Sequence, residues 1–117
     1  MKYMLLIYGV EPTTEPTPEE IQAEMAEYYA FTDEVNARNL LVASEALHLS
    51  HTATTVRVRA GKPITTDGPF AETKEVLGGF YLLDCKDLDE AIEMAAKIPG
   101  AKQGSVEIRP VIDFSQM

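Results

Sequence analysis

The stretch "TATTVRVRAGKPITT", residues 52–66, sets Val56 and Val58 against Thr55, Arg57 and Arg59, turns at Gly61 and returns through Lys62 to Thr66. Alternation is the period of a half-covered strand, and a glycine between two such runs marks a hairpin. Pro63 has no N–H to donate, which restricts the returning strand to an edge or to its own first residue. Whether this hairpin counts as part of the sheet decides the fold. The segments around it read strand, helix, strand on one side and strand, helix, strand on the other. With the hairpin set aside as an insert, βαββαβ remains, the split βαβ order of a ferredoxin-like α+β fold.

The flanks carry that order. Lys2 to Tyr8 is a strand whose two alternating sets, Met4-Leu6-Tyr8 and Tyr3-Leu5-Ile7, are both largely apolar, as in a strand covered on both faces. A Pro/Thr loop then meets a helix start: Thr17 as N-cap, Pro18 at N1 and Glu20 completing a capping box. Ile21, Met25, Tyr28, Phe31 or Thr32, and Val35 follow at helical spacing, and Arg38 with Asn39 closes the helix. "LLVASEALHL" (40–49) reads as a strand, and "GFYLLDC" (79–85) as another. Asp87 caps a second helix with Glu90 at N3, Leu88, Ala91, Ile92 and Ala95 form its expected buried stripe, and Pro99-Gly100 stops it. "GSVEIRPVI" (104–112) is the last strand. No repeat, linker or break in composition interrupts residues 1–117, so one domain is expected.

In this order both helices cover one face of the sheet. Tyr3, Leu5, Ile7, Tyr81 and Leu83 are assigned to the other face, where bare apolar area is costly at about 25 cal/mol per Å². A second subunit packed sheet to sheet is the economical cover, so a homodimer is expected. Apolar residues are 45% of the chain and charged residues 25%, a globular balance. Net charge −9 argues against a nucleic-acid partner, which needs clustered Lys and Arg. No run is long enough to span a membrane, and the six-residue apolar part of "MKYMLLIYG" is short for a secretory h-region of roughly seven to fifteen residues. The lone Cys85 has no disulfide partner in the chain, so a cytoplasmic protein is expected. Residues 11–34 hold eight acids and no Lys or Arg, either a solvated helix face or a docking face for a basic partner.

The chemistry-bearing residues concentrate in "TDGPFAETKEVLGG", residues 66–79. Asp67-Gly68 is turn chemistry, Phe70 plugs the core or lines a pocket, and Glu72, Lys74 and Glu75 form a mixed acid–base cluster of the kind used in proton transfer. Glu45 stands amid Val42, Ala43, Ala46 and Leu47, either outward on its strand or buried and perturbed. His48 and His51 fall on opposite faces of a strand and lack a third ligand, so no metal site is expected. No cofactor motif occurs: Gly78-Gly79 precedes a strand rather than a helix, so it is no phosphate loop.

"DGPFAETKE" (67–75) resembles the signature of the DGPF-domain proteins, a branch of the YCII-related superfamily. "MKYMLLIYG", "TATTVRVR" (52–59), "LGGFYLLD" (77–84), "DLDEAIEMAAKIPGA" and "GSVEIRPV" resemble their counterparts in it, so the likeness covers nearly the whole chain. It implies a domain of the dimeric α/β-barrel kind, a cleft between sheet and helices, and a gene beside an extracytoplasmic-function sigma factor. A few relatives are enzymes, one eliminating chloride from a hydroxylated aromatic. The superfamily's catalytic pair is a His on the first helix with an Asp nearby. Here that helix offers Glu27, Tyr28, Tyr29 and Phe31 and no histidine, while Asp67 matches the acidic half.

Two functions follow. One is a small-molecule-binding module, a ligand sensor or accessory protein of the sigma factor, whose acidic first helix meets a basic surface. The other is a cofactor-independent enzyme for elimination, isomerisation or proton transfer on a carbonyl or aromatic substrate. In it Asp67 or Glu45 is the base, Lys74 offsets developing negative charge, Tyr28 and Phe70 form an apolar wall, and Glu72 and Glu75 stand at the mouth. The absence of a histidine on the first helix favours binding.

Overall fold

The computed structural model describes Met1–Met117 and orders its elements as β1 (Lys2–Gly9), α1 (Pro18–Ala37), β2 (Leu41–Ala46), β3 (Thr54–Arg59), β4 (Lys62–Asp67), β5 (Val76–Asp84), α2 (Leu88–Ala95) and β6 (Ser105–Pro110). Short 3-10 turns lie at Ser50–Thr52, Pro99–Lys102 and Phe114–Gln116. β2, β5, β1 and β6 form a four-stranded antiparallel sheet in that order, while β3 and β4 pair only with each other. The result is an α+β architecture with two helices, compatible with a ferredoxin-like fold carrying the hairpin as an insert.

Local chemistry fixes the element ends as the residues dictate. Thr17 accepts from the Glu20 amide and Glu20 reaches back to the Thr17 amide, a complete capping box. Asn39 takes the left-handed conformation (φ 58°) just past α1. Asp87 caps α2 by accepting from the Glu90 amide. At the hairpin tip Ala60 and Gly61 both have positive φ, 51° and 75°, the requirement of a type I′ turn.

The register corrects the expected sheet faces. Tyr3, Leu5, Tyr81 and Leu83 are buried with Phe31, Val35, Ala91, Met94 and Ile98 in one core, and Ile7 packs against it. These five strand residues therefore face the helices. The uncovered face is the other alternating set, Met4, Leu6 and Tyr8 of β1 beside Leu82 and Phe80 of β5. Both sets are apolar, so alternation could not say which one the helices take. α2 also departs from expectation: Ala91, Met94 and Ala95 are buried, while Leu88 and Ile92 are exposed. The helix is only eight residues long, and it turns the stripe holding Met94 rather than Ile92 inward. β2 ends at Ala46 rather than Leu49, and Cys85 is buried one residue beyond β5.

Candidate functional site

α1 has an apolar stripe along its whole length but buries only half of it. Phe31 and Val35 are in the core, whereas Ile21 and Met25, earlier on the same stripe, remain 43% and 44% exposed. The cause is across the gap. Opposite the N-terminal half of α1 stand small groups: Ser44 and Ala46 of β2, Gly79 of β5, and Gly100 and Gly104 around the last turn before β6. The missing side-chain volume leaves a cleft of about 760 Å³ between helix and sheet, within the range of small-molecule sites. Gly79 and Gly104 are required by close approach of main chain: a Cβ on Gly79 would lie 2.8 Å from the Glu45 carbonyl oxygen, and one on Gly104 would overlap the Tyr8 carbonyl oxygen. A Cβ on Gly100 would lie 2.9 Å from both Ile7 Cγ2 and the Tyr28 hydroxyl, side-chain ends that would have to shift.

The cleft wall carries hydroxyls. Thr32 Oγ1 and Tyr81 Oη are 2.8 Å apart, and the Tyr81 ring is fixed edge-on against Phe31 at 4.9 Å. That bond uses one of the two hydroxyl protons, so the pair keeps one O–H free to donate. Ser44 sits opposite Tyr81 on the same side of the sheet. Tyr28 is half-buried, and burial pushes its pKa above the ordinary 10.0, the Gly100 backbone partly offsetting the shift. Tyr28 is therefore a neutral donor at physiological pH. The residues bordering the cleft include Glu11, Glu24 and His48, with Glu45 contributing its main chain, and no Lys or Arg.

One tether closes the end of the cleft. Glu11, in the segment between β1 and α1, accepts from the Ser50 amide at 2.6 Å and the Ser50 hydroxyl at 2.5 Å. These hydrogen bonds, chiefly that from the Ser50 hydroxyl, hold the Glu11 pKa below the usual carboxylate value, with a smaller contribution from His51. The segment after β1 is thus tied to the segment after β2, on either side of the cleft's mouth.

Of the residues singled out in the sequence, Tyr28 and Glu45 border this cleft. Glu45 is opposite Phe80, which turns its side chain to the uncovered sheet face and its carbonyl toward Gly79. It is thus the outward strand residue of the two alternatives. Asp67, Phe70, Glu72, Lys74 and Glu75 do not border the cleft. Asp67 ends β4 opposite Thr54, and the Gly68 turn (φ 97°) is held by its amide on Ala53 O (2.7 Å) and by Thr55 Oγ1 on its carbonyl (2.8 Å). The turn therefore belongs to the base of the hairpin. Phe70 is 80% exposed, and Glu75 accepts from the Ser105 hydroxyl at 2.8 Å. Thr32, Ser44, His48 and Tyr81 carry cleft chemistry without having been singled out for it. Their signal was indirect: small residues in strands that face a long apolar helix stripe imply a void. No group of three His, Cys, Asp or Glu is placed to hold a metal ion, and no helix is long and apolar enough to cross a membrane.

The YCII-related domain matches residues 1–115. The chain belongs to the YCII-related family. An uncharacterized protein of Rhizobium meliloti (strain 1021) is 40% identical to it over 114 residues, which cover 95% of this chain and 92% of that protein. In this YCII-related domain the face of α1 toward the cleft presents Tyr28 and Thr32 and no histidine.

Proposed function

We propose that this YCII-related domain binds a small, mainly apolar, uncharged molecule in the cleft beneath α1. The carrying observation is the half-buried stripe of α1: Ile21 and Met25 face a void of ligand size, so a ligand there completes a core the chain leaves unfinished. The Tyr28 phenol and the free O–H of the Thr32–Tyr81 pair would donate to an oxygen or nitrogen of the ligand. An anion is disfavoured, because its burial requires a paired cation and the lining offers no Lys or Arg. Native mass spectrometry of freshly purified protein tests this. A few hundred daltons of extra mass, lost on substituting Met25→Glu, is expected; a clean protein that also fails to bind any member of a neutral fragment library overturns it.

Catalysis by carboxylates is the weaker reading, since the acid–base cluster of residues 67–75 stands apart from the cleft and Glu45 turns away from it. The uncovered set Met4, Leu6, Tyr8, Leu82 and Phe80 supports a homodimer packed sheet to sheet; a monomeric mass at micromolar concentration in light scattering overturns that. A sensor or accessory role beside a sigma factor rests on the acidic α1. It predicts capture of that factor at low salt and its release as salt rises.

A further inference from the structure

The hairpin of β3 and β4 forms a sheet of its own, with every residue but Thr55 exposed. A two-stranded ribbon without a partner is marginally stable in water. The molecule is flat, 48 × 47 × 19 Å, with a radius of gyration of 16.4 Å against about 13 Å for a compact chain of this length. The register sorts its side chains. Val56, Val58, Pro63 and Thr65 share one face; Arg57, Arg59, Lys62 and Ile64 share the other. Val56 and Val58 are 59% and 61% exposed. The hairpin thus carries three of the chain's ten cations and one acid, Asp67 at its base, and none of the three cations makes an ion pair.

α1 is the complement. Glu20, Glu24 and Glu27 repeat at spacings of four and three along its exposed surface, where like charges repel, and none of them makes an ion pair. Beside them lie the exposed apolar groups of the cleft mouth, Ile21 and Met25. The face that joins Arg57, Arg59 and Lys62 with the 49% exposed Ile64 matches a helix with apolar and acidic stripes side by side.

We infer that the β3–β4 arm of one copy clasps α1 of a second copy through its basic face, setting Ile64 over the cleft mouth at Ile21 and Met25 and Arg57, Arg59 and Lys62 against Glu20, Glu24 and Glu27. The exchange is reciprocal, so a two-fold pair satisfies both arms and closes on itself. Each cleft then has a rim built by the other copy. This rests on the homodimer proposed above and adds to it where the copies touch.

The test uses the full chain, mixing copies labelled with ¹⁴N and ¹⁵N and cross-linking at zero length with a carbodiimide. Lys62 is expected joined to Glu20, Glu24 or Glu27 in peptides of mixed isotope. Arg57→Glu with Arg59→Glu is expected to weaken dimerisation at least tenfold at low salt, and Glu24→Arg with Glu27→Arg on the other copy to restore it. All are exposed positions, so folding is not at stake. A dimer in which Lys62 links only within its own chain, or to none of these acids, overturns the clasp and leaves the sheet-to-sheet dimer standing. A monomer at every concentration overturns both.

Discussion

Gly78→Ala and Gly79→Ala, made separately, place the same methyl group on neighbouring residues of one strand. Neither glycine has a positive φ, so each backbone accepts alanine, and each substitution removes the same unfolded-chain freedom, worth about 0.4–1 kcal/mol. The surroundings differ. At Gly78 the nearest atom to an added Cβ is Ile7 O at 3.9 Å, an ordinary contact. At Gly79 the Cβ would meet Glu45 O at 2.8 Å and Ala46 Cα at 3.3 Å, both main-chain atoms of β2 that no rotamer change can move. Displacing packed backbone costs about 1–3 kcal/mol. The shared entropic part cancels in the comparison, so the difference between the variants isolates the clash. For a chain of this size it corresponds to a separation in Tm of about 4–12 °C, with Gly78→Ala the higher. Urea unfolding followed by circular dichroism measures it directly. Equal midpoints, or Gly79→Ala the more stable, would refute the argument that Gly79 exists to let β2 and β5 approach over the cleft.

Three further outcomes follow from local chemistry. Tyr28 should titrate above the ordinary tyrosine value at 295 nm, and Tyr28→Phe should remove that late component; because its folded pKa is raised, any stability it contributes is present below the ordinary value and fades as pH climbs through the higher one. The Glu11 carboxylate has the opposite sign: its tether to Ser50 holds above the ordinary carboxylate pKa and is lost as pH falls through the lowered one, so cleavage by a protease in residues 10–16 should speed up in acid, and Ser50→Ala should raise cleavage at neutral pH. Ala60 sits in the left-handed region, which costs an ordinary residue about 1–2 kcal/mol, so Ala60→Asn should slow amide exchange in the β3–β4 arm, and unchanged exchange would show that the turn carries no strain.

The order of elements was legible because its signals are local. The capping box at Thr17, the Asp87 cap, Asn39 and the Ala60-Gly61 turn each act within four residues, and each stands where its chemistry required. Which face of β1 the helices cover was not legible, since Tyr3-Leu5-Ile7 and Met4-Leu6-Tyr8 are equally apolar and only cross-strand register with β5 separates them. The cleft was half legible. Tyr28 was identified for its place on the stripe of α1, but the space in front of it depends on Gly79 and Gly100, whose meaning appears only when strand, helix and turn are brought together. The charged loop at 67–75 drew attention through its residue types, while the hydroxyl pair Thr32–Tyr81, 49 positions apart, offered no sequence spacing to notice.

The ends of α1 are held very unequally. At its C-terminus Arg38 meets Glu34, Glu90 and Glu93 at 3.2–3.5 Å, Lys97 reaches Glu34 at 2.6 Å, and Phe31 and Val35 are anchored below. From Thr17 to Met25 only the capping box and the glycine-floored void lie beneath, and Tyr28 is the first residue packed against the core. Mechanically, the helix is a beam built in at one end, with a free span of about 12 Å at 1.5 Å per residue. A tilt of roughly 5° would carry its tip about 1 Å on that span, widening or narrowing the space below. In the proposed binding role, one set of hydroxyls would then serve molecules of different thickness. Amide exchange along α1 should slow steadily from Ile21 toward Val35, and a flat profile would mean that the beam is fixed at both ends.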